Sequence, residues 1–204
     1  RRQRQMCIRD SSHSTPGMER FPQEVYDRHL ALARAYCTQK GYDLKLEHGS
    51  ELLYTPAAGY AAVQRQLLTL GDTGWVLLEF VPNITAKERE TALQEITGAG
   101  YRILVAHIER YPCLAQHGLL ARLHEKYRLR CQINCSAVLD SSFWQRMRLE
   151  HWVKAGLVDA VSSDAHNCTS RPTRMRQAYA QLCSHVGETT AQKLTGMDGT
   201  EYLV

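Results

Sequence analysis

Short apolar runs alternate along the chain with longer segments whose apolar residues recur at helical spacing. The runs "DLKL" (43–46), "WVLLEF" (75–80), "YRILVAH" (101–107), "RCQIN" (130–134) and "LVDAVSS" (157–163) read as buried strands. Between them, "PQEVYDRHLALARAYCTQKG" (22–41) opens on a proline suited to a first helical turn and stops at a glycine. "TAKERETALQEITGAG" (85–100) begins with Thr85, and Glu88 follows three residues on, which is the pattern of a capping box. Residues 114–127, 141–154 and 173–195 have the same helical character. Strand and helix in alternation predict an α/β fold with a parallel sheet and helices outside it. No Pro/Gly-rich linker interrupts the chain, so one domain is expected.

Polar residues stand where these apolar runs end. Glu51 follows "KLEHGS", Glu79 and His107 end their runs, Asn134 ends "CQIN", and Asp164 follows "AVSS". Their separations are 28, 28, 27 and 30 residues, close to one β/α unit each time. In α/β barrels, functional side chains gather at the C-terminal ends of successive strands. One polar residue at a strand end is ordinary; a regular series of Glu, Glu, His, Asn and Asp-x-His is not. Asp164 and His166 stand at i and i+2, so on an extended chain they point the same way. Carboxylates and imidazoles without thiolate suit manganese, zinc or iron. No internal sequence repeat accompanies the spacing, which is therefore architectural.

Composition excludes several classes. The 204 residues are 44% hydrophobic and 23% charged, ordinary for a soluble globular protein. No apolar run approaches the roughly 20 residues that cross a bilayer, and the opening residues do not resemble a secretory signal. Seven scattered cysteines fit reduced thiols in a cytoplasm better than a disulfide framework. The formal charge is +4, but residues 1–12 carry four arginines and one aspartate, +3 of that total. The remainder sums to +1, which gives no basic face for nucleic acid. Within that opening segment, "MCIRDS" resembles a translated sequencing adapter. Residues 1–12 are therefore expected to be non-native or disordered, with residues 13–204 as the single folded domain.

The motifs "GSELLYTP" (49–56), "LLEF" (77–80), "VAHIERY" (105–111), "INCS" (133–136) and "SSDAHN…RP" (162–172) together resemble the PHP (polymerase and histidinol phosphatase) superfamily. More specifically they are similar to the metal-dependent protein tyrosine phosphatases of Gram-positive capsule and exopolysaccharide loci. The likeness runs from about His13 to the C-terminus. It implies a distorted (β/α)7 barrel with a three-metal cluster. By that resemblance Glu51 bridges two metals, Glu79 and His107 bind the second, and Asp164 binds the first. His13 and His166 bind the third, and Arg110 and Arg171 hold the substrate phosphate. Family members begin with a strand ending in His-x-His, which this chain lacks, so the expected barrel is short of its first strand and the chain as written is expected to be impaired.

The chemistry expected is hydrolysis of phosphotyrosine on a protein, a tyrosine autokinase of a polysaccharide locus, with manganese as the metal and zinc or iron as alternatives. Two other readings remain open. One is a PHP hydrolase acting on a small phosphate ester, and the other is an inactive metallo-barrel serving as a binding module. For Arg110 the competing role is an ion pair with Glu109 or a neighbouring carboxylate; for Arg171 it is a solvated surface position. Asn134 either orients the site from behind the ligands or caps the backbone. Cys168 and Arg174 fit the bare C-x5-R spacing of thiol phosphatases, but Pro172 removes a donor and the loop has no glycine to cradle phosphate.

Overall fold

The computed structural model describes residues 6–9, 12–17, 22–42, 44–116, 118–167 and 169–196. The chain forms two compact units, one reaching Leu104 and the other beginning at Val105. The first contains β1 (Met6–Arg9), β2 (Ser12–Ser14), α1 (Gln23–Gln39), β3 (Leu44–Glu47), β4 (Ser50–Leu53), α2 (Pro56–Val63), β5 (Trp75–Glu79), α3 (Ala86–Gly98) and most of β6 (Arg102–Val105). The second contains two 3-10 turns (Ile108–Arg110 and Pro112–Ala115), α4 (Leu119–Tyr127), β7 (Arg130–Asn134), α5 (Cys135–Asp140), α6 (Phe143–Lys154), β8 (Ala160–Ser162), α7 (Met175–Val186) and α8 (Glu188–Thr195).

All strand pairs with a described register are parallel: β1 with β3, β2 with β4, β4 with β5, and β7 with β8. Parallel strands need helical crossovers and are covered on both faces, so they read as continuous apolar runs. Strand β5 obeys this, with Trp75, Val76 and Leu78 buried. The α/β class is as the sequence predicts, and four of the five expected strands fall within their quoted runs. The first, β3, is one residue later than "DLKL".

Three differences bear on the site. Glu51 does not trail the strand of "KLEHGS"; it is the second residue of a separate strand, β4. The chain breaks at His48–Gly49 and changes partners there, since β3 pairs with β1 whereas β4 pairs with β2 and β5. Tyr26 on α1 receives the N–H of Gly49 at 3.1 Å and fixes that break. Second, residues 6–9 of the basic opening segment form β1, in register with β3 from Met6–Leu44 to Arg9–Glu47. Third, the long helical segment 173–195 is two helices, parted at Gly187, whose φ of 89° lies in the region that favours glycine.

Candidate metal centre and anion-binding residues

In the first unit, sheet register gathers three donors. His13 on β2 is the direct register partner of Glu51 on β4. On the other side, Glu51 partners Leu77 of β5, and Leu53 partners Glu79. Side chains two apart on a strand share a face, so Glu79 lies one step along the face that Glu51 occupies. The outcome is a cluster in which one ligand atom from each of His13, Glu51 and Glu79 lies within 4.8 Å of the others. His13 Nε2 is 3.8 Å from Glu51 Oε2; the imidazole is largely exposed and the carboxylate buried. One nitrogen and two carboxylate oxygens suit a divalent cation, and two donors each about 2.0–2.2 Å from one ion are at most about 4.4 Å apart. The donor set therefore fits a metal with a contraction of a few tenths of an ångström.

In the second unit, the other sequence-chosen residues fall into one hydrogen-bonded group. Three donors converge on Asp164 Oδ2: Arg110 Nη2 at 2.8 Å, Arg171 Nη2 at 2.6 Å and Asn134 Nδ2 at 2.8 Å. Asp164 Oδ1 faces His166 Nδ1 at 3.7 Å. The carboxylate thus has one oxygen saturated by donors and the other turned toward the His166 imidazole. Of the alternatives open for Arg110, the ion pair is present, but with Asp164 rather than Glu109. Arg171 is ion-paired too, not merely solvated. Both guanidinium side chains keep over two-fifths of their surface in solvent, 42% and 46%, so an incoming anion can reach them.

His166 has a definite hydrogen-bonding pattern. Arg171 Nη1 can only donate, so at 3.1 Å it meets the Nε2 lone pair. The ring proton then sits on Nδ1, which donates to the Asp164 carbonyl at 3.0 Å. Arg171 itself is placed by Asn167, whose Oδ1 accepts the backbone N–H groups of Thr169, Ser170 and Arg171 at 2.9, 2.7 and 3.0 Å. That turn is the organising device of "HNCTSRP", and an Asn followed by Ser/Thr is its sequence signal.

His107 and Asp164 share an unusual backbone. Each follows a strand, and each has a positive φ, 33° and 47°. His and Asp are among the residue types that tolerate this region, yet holding a non-glycine residue there costs about 1–3 kcal/mol unless neighbours enforce it. His107 is buried, its N–H donates to Gln132 Oε1 at 2.7 Å, and its Nδ1 is 3.3 Å from the Tyr111 hydroxyl. Asn134 makes no side-chain cap bond to α5, and its amide goes to Asp164 instead. Gln132 and Asn167 are the two residues that the sequence pattern missed.

Burial favours the neutral form of nearby titratable groups. It pushes the Glu109 carboxyl up, although Asn134 N–H lies 3.4 Å from one oxygen; the other is buried and has no hydrogen-bond partner among the described residues. Burial likewise raises the thiols of Cys131 and Cys135, which suits inert packing rather than nucleophilic attack. Cys168 lies outside the described residues.

A family model described as capsular polysaccharide synthesis, CpsB/CapC, matches residues 4–203. The tyrosine-protein phosphatase CpsB of Streptococcus pneumoniae is 30% identical over 201 residues, covering 95% of this chain and 82% of that protein. The tyrosine-protein phosphatase YwqE of Bacillus subtilis (strain 168) is 31% identical over 135 residues, 65% of this chain and 52% of YwqE. A crystal structure from work on YwqE of Bacillus subtilis and CpsB of Streptococcus pneumoniae, described as unique metal-dependent tyrosine phosphatases, superposes with a TM-score of 0.77. It shares 23% identity and covers 92% of this chain and 76% of that one, a likeness of fold. With a family match spanning nearly every residue and relatives aligned along most of their own length, the chain belongs to the CpsB/CapC family of capsular polysaccharide synthesis.

Proposed function

We propose that this protein is a metal-dependent hydrolase of phosphotyrosine on proteins. The observation that carries the reading is the mixed imidazole and carboxylate cluster of His13, Glu51 and Glu79, in a chain whose relatives are tyrosine-protein phosphatases. His13, Glu51 and Glu79 would hold a divalent cation, and His107, Asp164 and His166 are ligands in the same reading, His166 through the Nε2 lone pair that Arg171 would release on turning to the phosphate. Manganese is the expected ion, in the distorted (β/α)7 barrel that the family resemblance implies. Bound metal supplies an activated water at neutral pH and neutralises phosphoryl charge.

The chain's own residues do the rest. Arg110 and Arg171 present charge-assisted donors that suit a phosphate dianion, which offers them more acceptor oxygens than one carboxylate does. Asp164 holds both guanidinium groups on one oxygen until then, so the phosphate meets prepositioned donors. Asn167 fixes the backbone that carries Arg171, and so limits the reorganisation needed for capture. The partner in this reading is a phosphotyrosine protein, a bacterial tyrosine kinase of a polysaccharide locus, met in the cytoplasm.

The test is turnover of a phosphotyrosine peptide by the full chain dialysed against chelator, then supplied with manganese. The expected result is no hydrolysis after dialysis and recovery on addition of manganese. Undiminished turnover in chelator would exclude the reading.

A further inference from the structure

We infer that Gln132 is a positioning residue that locks His107 and Asp164 in place through one directed relay of hydrogen bonds; this rests on the functional reading above. Gln132 and Asn134 are two apart on β7, so both side chains lie on one face of the strand, and both are buried. The backbone N–H of His107 donates to Gln132 Oε1 at 2.7 Å. That bond fixes the amide orientation, because a backbone N–H requires an acceptor. Gln132 Nε2 must then donate, and it does so to Asn134 Oδ1 at 2.7 Å and to Ser162 Oγ at 2.6 Å. With its oxygen occupied, Asn134 turns its Nδ2 to Asp164 Oδ2 at 2.8 Å.

Each link therefore donates in the same direction, from the His107 backbone to the Asp164 carboxylate. Aligned amides polarise one another and strengthen the chain of bonds. Its two ends are the two residues with the positive φ values described above. Such backbone persists only where surroundings over-determine it, and the relay supplies that constraint at both. Ser162 on β8 is the register partner of Asn134, so the sheet itself sets the third corner of the network. Side chains behind metal ligands typically change metal affinity or activity 10–100-fold when removed.

The experiment uses the full chain with Gln132→Met and, separately, Asn134→Ala. Manganese binding is titrated by the loss of the free-ion electron paramagnetic resonance signal, beside thermal unfolding and phosphotyrosine-peptide kinetics. For Gln132→Met the manganese dissociation constant should rise about 10–100-fold. Excess manganese should restore much of kcat, and KM for the peptide at saturating metal should stay unchanged. Asn134→Ala cuts the other joint and should weaken binding in the same way. The double variant should be little worse than the weaker single, because both act on one relay. A merely structural role would lower the unfolding midpoint without moving the dissociation constant, and that result overturns the inference. Should Gln132→Met fail to fold, wild-type manganese affinity in folded Asn134→Ala overturns it equally. A wild-type chain that binds no manganese defeats the functional reading instead, whereas unchanged affinity in the variants of a manganese-binding chain defeats the relay alone.

Discussion

Single side chains here separate into those expected to hold a metal and those expected to hold a phosphate, and substitution should tell them apart. Removing Arg110 or Arg171 deletes a charge-assisted hydrogen bond of about 1.5–3 kcal/mol. Arg110→Ala and Arg171→Ala should therefore lose about 10–100-fold in kcat/KM on a phosphotyrosine peptide even at manganese concentrations that saturate the variant. His107→Ala and Asp164→Ala should lose metal and turnover together. Full recovery of kcat/KM at saturating manganese in either arginine variant would move that arginine out of the phosphate-binding role. Cys168→Ser should stay near wild type, because in the proposed reaction a metal-activated water, not a thiol, attacks the phosphorus. An inactive, folded, fully metallated Cys168→Ser protein would require a thiol nucleophile instead. The residues that end the apolar runs were visible in the sequence. Gln132 was not, since it sits inside "RCQIN" and acquires its role only when β7 is placed in register with β8.

Secondary-structure elements were legible in proportion to their length and caps. Helix α3 has the capping box that Thr85 and Glu88 announce: Thr85 Oγ1 accepts the Glu88 N–H at 3.2 Å, and Glu88 Oε2 accepts the Thr85 N–H at 2.9 Å. Shorter pieces escaped. Strand β2 is three polar-flanked residues, β4 carries a buried carboxylate in its middle, and α5 is six residues long. Nothing local in such segments outweighs turn or loop; partner strands decide them. The cap makes a prediction at this scale. Thr85→Ala should cost about 1 kcal/mol, and in a chain this size lower the unfolding midpoint by about 2–4 °C. The Glu88 carboxyl is held below its ordinary range, first by the Thr85 side chain and then by the Thr85 backbone N–H. A depressed folded-state pKa adds stability that is present above the unfolded value, about 4.3, and is lost as pH falls through the folded value. The midpoint gap between wild type and Glu88→Gln should therefore narrow from pH 7 to pH 3; a gap that widens on acidification would contradict the capping role.

At the scale of the whole molecule, the proposed metal cluster would couple folding to binding. Glu51 and Glu79 bring two carboxylates together with His13, all three donor atoms within 4.8 Å, and the Glu51 side chain is buried. Like charges held this close oppose folding when no cation is bound, and burial increases the cost. A ligand that binds only the folded chain stabilises it by about 2.7 kcal/mol at one hundred times its dissociation constant. For about 200 residues this corresponds to a rise of about 5–10 °C in unfolding midpoint. Adding manganese to chelator-dialysed protein should thus raise the midpoint by that amount. Glu51→Gln reverses the balance. Without metal it should unfold at or above the wild-type temperature, because one of the two crowded charges is gone. With manganese it should lag behind the wild type, because the same change removes a ligand. This opposite response separates a metal centre at Glu51 from general stabilisation by divalent ions on surface carboxylates, which Glu51→Gln would leave untouched. Thermal unfolding of both proteins, in chelator and in manganese, measures all four midpoints. A wild-type-sized manganese shift retained in Glu51→Gln would remove Glu51 from the centre.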